Sequence, residues 1–118
     1  MSTRAQIRFV ERKKGQSFSK HPDAIQCQFY AHWDGYPESR GVEIAESILN
    51  GRKLDGWEID YMDTERDNLE YIYYIWQSEG KPLTISIMEV LPFRDQIGKC
   101  IFVGTPQELL QEYRVCAN

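Results

Sequence analysis

The sequence predicts an α+β fold: a mainly antiparallel sheet of about five strands with two helices on one face. Three observations carry it. Two segments near the start alternate apolar and polar residues with the period of two expected of half-buried strands. The run from Leu69 to Trp76 is apolar on both faces, the pattern of a central strand. Two further segments carry helix signals, one an apolar stripe and the other a complete capping sequence.

Taken in order, Ala5, Ile7 and Phe9 alternate with Gln6 and Arg8 to make the first strand. Residues 12–23, with Gly15, two serines and Pro22, form a connection. In the second strand Ile25, Cys27, Phe29 and Ala31 oppose Gln26, Gln28, Tyr30 and His32, and the polar set is expected to be solvated. These strands make a hairpin with a long tip. Asp34-Gly35-Tyr36-Pro37 ends the second strand, because Asp-Gly is a turn dipeptide and Pro37 holds Tyr36 extended. A helix is expected from Ser39 to Asn50, with Val42, Ala45, Ile48 and Leu49 facing the core and Gly51 as a left-handed C-cap. Trp57, Ile59 and Tyr61 alternate between Asp55-Gly56 and the polar run Asp63 to Asn68, and read as an edge strand.

In the central strand Leu69, Tyr71, Tyr73 and Ile75 oppose Ile72, Tyr74 and Trp76. Residues 78–82 turn the chain into a strand carrying Leu83, Ile85 and Ile87, and Cys100 to Val103 add a short one. The last helix starts at Thr105-Pro106-Gln107-Glu108, with threonine as N-cap, proline at N1 and glutamate at N3. Leu109, Leu110 and Tyr113 supply its apolar side. The order is ββα(β)βββα, with no internal repeat.

Composition narrows the function. A length of 118 residues and a hydrophobic content of 42% fit a single domain over residues 1–118. The net charge of −4 disfavours duplex nucleic acid as a partner, and the basic cluster Arg12-Lys13-Lys14 reads as a solvated hairpin tip. Cys27, Cys100 and Cys116 are odd in number and widely spaced, so neither a zinc knuckle nor a thioredoxin-like pair is indicated and the count argues against a secreted disulfide framework. The acidic residues Asp60, Asp63, Glu65 and Asp67 lack the spacing of a calcium loop. No metal or cofactor is expected. Neither a signal peptide nor an apolar run long enough for a membrane span is present, so a cytoplasmic location is expected.

The chain has seven Tyr, five Phe and three Trp. Helices cover one face of such a sheet, which leaves an aromatic set on the other. Tyr30, Tyr71, Tyr73, Tyr74 and Trp76 are the candidates for that interface, and a homo-oligomer is the expected consequence.

The most distinctive segment is His32-Trp33-Asp34-Gly35-Tyr36-Pro37-Glu38, between a strand and a helix N-terminus. Three readings of it stand open. Its residues pack the corner. Alternatively it binds a ligand or partner through His32, Trp33, Asp34, Tyr36 and the neighbouring Arg40, the rings stacking on a base and the helix end and Arg40 holding a phosphate. Or His32 acts with Asp34 or Glu38 as a general base in hydrolysis or phosphodiester cleavage. No assigned nucleophile, metal set or phosphate loop accompanies it, so a non-enzymatic binding protein is preferred. The rival outside the loop is a protein-interaction module working through the aromatic face.

Tyr30-Ala31-His32-Trp33-Asp34-Gly35-Tyr36-Pro37-Glu38, after Thr3-Arg4-Ala5-Gln6-Ile7, resembles a group of small uncharacterised bacterial and phage proteins. They share an aromatic-x-His-x-Asp-Gly-Tyr-Pro core at the end of an early strand. The likeness spans residues 3–49, with a looser echo at 69–75, and departs where Ser39-Arg40 precedes Gly41-Val42. It implies a prokaryotic or phage setting, in which small proteins commonly act by binding host proteins or nucleotide signals.

Overall fold

A computed structural model describes residues 3–11, 24–31, 35–51, 57–60, 69–77, 82–91 and 96–113. The strands are β1 (Ala5–Glu11), β2 (Ala24–Ala31), β3 (Trp57–Asp60), β4 (Tyr71–Trp76), β5 (Thr84–Leu91) and β6 (Gln96–Gly104). The helices are α1 (Val42–Asn50) and α2 (Pro106–Tyr113), and Pro37–Gly41 forms one π turn ahead of α1. One six-stranded sheet runs in the order β3-β2-β1-β4-β5-β6. The class is α+β, and the sixth strand is the edge strand expected near Trp57.

The sheet is mixed. Four neighbouring pairs are antiparallel, and β1 runs parallel to β4, with Ala5 beside Tyr71 and Phe9 beside Ile75. Parallel neighbours need a crossover. Here the β2 hairpin arm, α1 and β3 all intervene before β4 returns to the free side of β1.

Ala5, Ile7, Ala31, Tyr73, Ile75, Ile85 and Ile87 bury one face of the sheet beneath Ile44 and Ala45 of α1 and Leu109 of α2. Each of the isoleucine and leucine side chains contributes roughly 1.5–3 kcal/mol when fully removed from water. Both helices lie on this face, as the sequence predicts. The capping sequence also forms as read: the Thr105 N–H donates to Glu108 Oε1 at 2.9 Å, and the Glu108 N–H donates to Thr105 Oγ1 at 3.2 Å.

The first helix differs from expectation. Val42 and Ala45 face the core as expected, joined by Ile44, while Ile48 and Leu49 are 36% and 38% exposed. Ahead of α1 the Val42 N–H reaches back to Pro37 O, the wide bond of a π turn. Gly51 closes α1 in the left-handed conformation (φ 68°), its N–H bonded to Ser47 O.

The second sheet face also departs from the sequence reading. Tyr30, Tyr74 and Trp76 are 5%, 3% and 8% exposed, clustered with Val10, Leu69, Ile72, Met88 and Val90. Tyr73 is fully buried on the opposite, helix-covered face, where Tyr71 is half-buried. The five aromatics therefore form no open patch on one side: alternation along β4 splits them between two buried layers. Nor is the polar side of β1 and β2 solvated, since Gln6 and Gln28 are 0% and 1% exposed.

Candidate functional site

The loop is described from Gly35 onward; His32, Trp33 and Asp34 lie outside the described residues, as do the hairpin tip at 12–23 and the acidic segment 61–68. What remains is a corner pinned from two directions. The Gly35 N–H donates to Thr3 O at 2.8 Å, and the Tyr73 hydroxyl donates to Gly35 O. A Cβ at position 35 would lie 2.8 Å from Thr3 O and 2.9 Å from Ala5 Cβ, so only glycine permits the backbone this close to β1.

Tyr36 then takes the extended conformation that a following proline imposes (φ −72°, ψ 154°). Its carbonyl accepts from the N–H groups of both Ser39 and Arg40. Pro37, which has no N–H to satisfy, is buried as the first residue of the π turn. Gly41 ends that turn directly over the core; a Cβ there would meet Tyr73 Cε1 at 3.4 Å.

The candidate residues separate at this corner. Tyr36 is 38% exposed and Glu38 is exposed. Arg40, expected to face a phosphate, is instead 5% exposed, with its Nη1 donating to Glu43 Oε1 at 3.0 Å. The inserted residue of the π turn turns Arg40 inward, and Glu43 supplies the counter-charge that a buried guanidinium requires. The sequence reading missed Glu43; its spacing of three from Arg40 within a helix was the available signal.

The opposite wall of the corner comes from β4 and α2. Burial first, then the Glu89, Glu38 and Glu70 carboxylates, hold the Tyr71 phenol above its ordinary value. Tyr113 is likewise raised by burial, then by Glu112 and Glu38 among others. Tyr73 is raised well above its ordinary value, chiefly by burial, with Glu38 adding and Arg40 opposing. Glu38 thus adds to the local field at three phenols from two elements, β4 and α2. Phe102 packs edge-on against Tyr113, centroids 5.9 Å apart. The result is an exposed carboxylate whose charge reaches the half-buried phenols of Tyr71 and Tyr113.

Among the described residues no three His, Cys, Asp or Glu side chains gather as a metal site, and no helix is long and apolar enough to cross a membrane. No family model, curated protein or solved structure matches the chain.

Proposed function

We propose that the chain is a non-enzymatic binding protein whose contact surface is the corner carrying Tyr36 and Glu38, bordered by Tyr71 and Tyr113. Its partner presents a positive charge, as a basic segment of another protein does. The observation supporting this is Glu38: an exposed carboxylate on the π turn, which packs on α2, with its charge felt at the half-buried phenols of Tyr71 and Tyr113. Carboxylate and ring face together suit an ammonium or guanidinium group. A phosphate is the poorer fit, because it would meet Glu38 while Arg40 is committed to Glu43. π turns also occur frequently at functional positions. The catalytic alternative, His32 with Asp34 or Glu38, rests on two residues outside the described ones. A cytoplasmic setting in bacteria or phage belongs to the same proposal.

Calorimetric titration with a lysine- and arginine-rich peptide, and in parallel with linear and cyclic nucleotides, tests it. Peptide binding that weakens with added salt and with Glu38→Gln is the expected result. Nucleotide binding indifferent to Glu38→Gln, or no response to the peptide, would overturn it.

A further inference from the structure

Beside the Glu38 corner, the sheet brings a second carboxylate to the same face. Tyr71 of β4 pairs with Glu89 of β5 in the strand register, so the two side chains leave the sheet side by side. Tyr73 and Ile87, two residues along from each, lie in the core beneath the π turn and α2, which fixes the face. Beyond Glu89 the pairing with β6 is irregular: Met88 stands opposite Cys100 and Val90 opposite Ile97. Gly98 and Lys99 therefore share the place opposite Glu89, the two-against-one arrangement of a β-bulge. Lys99 Nζ lies 4.0 Å from Glu89 Oε2, with the two side chains 75% and 41% exposed.

The charges at this place agree with its geometry. After burial, the influences that raise the Tyr71 phenol are Glu89, then Glu38, then Glu70, and every one of them is a carboxylate. Into this negative field the bulge directs one ammonium from the chain itself. A pair at 4.0 Å between exposed groups holds weakly, because water screens it and a long side chain must stay ordered to keep it. Lys99 is thus a cation on a tether. Its position marks Glu89 as an acceptor of ammonium groups, and its looseness leaves that carboxylate open to exchange.

We propose that Glu89 is a second cation-receiving carboxylate of the corner and that Lys99 is its tethered competitor, so that the surface selects a protein segment with two basic residues over one with a single basic residue. This rests on the corner being a cation-binding surface. One basic group of the partner meets Glu38, while the other displaces Lys99 from Glu89 and lies against Tyr71. A partner with one basic residue has only Glu38 to bind without competition. A lysine placed solely to guard the sheet edge would leave peptide affinity unmoved.

Calorimetry on the full-length protein, at constant ionic strength, compares peptides of equal length carrying one lysine or two. The second lysine stands one to four positions from the first across the series. The tightest two-lysine peptide is expected to bind about two- to fivefold more tightly than the one-lysine peptide, and Glu89→Gln removes that advantage. Lys99→Gln raises affinity for the two-lysine peptide about two- to sixfold by removing the competitor. Loss of a positive charge acting from a distance would raise it too, so the substitutions are combined. In a Glu89→Gln background, Lys99→Gln has no further effect if the two side chains act as a pair. Both side chains reach solvent, and coincident melting curves verify that the variants fold as the parent does. Equal affinity for the two kinds of peptide, or a gain from Lys99→Gln that persists in Glu89→Gln, overturns this proposal; binding that still depends on Glu38 then leaves the corner as a cation-binding surface. No binding of any peptide overturns both.

Discussion

Gly35 and Tyr73 fix the corner by complementary means, one by lacking a side chain and one by lending a hydroxyl. Gly35→Ala forces a Cβ against Thr3 O and Ala5, which are backbone and a strand methyl with no freedom to move away. Overpacking of this kind costs about 1–3 kcal/mol, read as a lower urea midpoint with an unchanged slope. Tyr73→Phe removes the donor to a buried carbonyl and is expected to cost about 1–3 kcal/mol. The same residue gives a pH signature. The folded pKa of Tyr73 lies above its unfolded value, chiefly through burial. Its contribution is complete below about pH 10 and declines as pH rises from there toward the folded value. Urea midpoints measured across that alkaline range should fall less steeply in Tyr73→Phe than in the parent.

At the scale of elements, α2 depends on its first turn. Thr105→Ala deletes the N-cap bond to the Glu108 N–H and should cost about 0.5–2 kcal/mol. Glu108 is held below the ordinary carboxylate range, first by the Thr105 backbone N–H and then by the Thr105 side chain. A depressed folded pKa means its support is present above the ordinary value and lost as pH falls through the folded one. Glu108→Gln should therefore blunt the acid loss of stability, followed by near-ultraviolet dichroism. This helix was legible from Thr105-Pro106-Gln107-Glu108 because capping is a local matter of four residues. Of the α1 stripe only Val42 and Ala45 were read correctly, and the π turn ahead of it leaves no mark in apolar spacing, since Gly41 and Pro37 read equally well as ordinary helix boundaries. The edge strand β3 was legible from alternation, and the two-sided character of β4 from apolar residues on both of its faces. The parallel β1–β4 pairing was not, since period-two patterning carries no direction. At the site, the turn of Gly35-Tyr36-Pro37 was readable from residue types, whereas the burial of Arg40 depends on where Glu43 stands after the turn is widened. Gln6 and Gln28 looked solvated for a similar reason: an amide facing water and an amide holding Arg8 have the same spelling.

For the molecule as a whole, the decisive fact is that both faces of β4 are buried within one chain. Tyr74→Glu tests this. Were the second face an interface between copies, a charge there would yield folded monomers. With Tyr74 3% exposed, it should instead unfold the protein, lowering stability by more than about 3 kcal/mol. Light scattering and thermal melting on the same samples separate the outcomes: a smaller mass with an intact melting transition would restore the interface reading. The outer strand β6 offers little for sheet extension. Its pairing with β5 slips between Ile87 and Met88 and again before Val90, and Lys99 projects from it at 75% exposure. Irregular pairing and a lysine are both means by which sheet edges resist joining.

The central position of β1 bears on how the chain is made. Strand β1 leaves the ribosome before both of its neighbours: it gains one when β2 appears, but its other edge pairs with β4, which ends at Trp76. At about 5–20 residues per second, that edge stays bare for several seconds of synthesis. During this interval the nascent segment carrying β1 and β2 is a natural client for whatever shields exposed strands at the tunnel exit. Slow translation upstream of Tyr71 would lengthen the exposure, while slow translation after Trp76 would not.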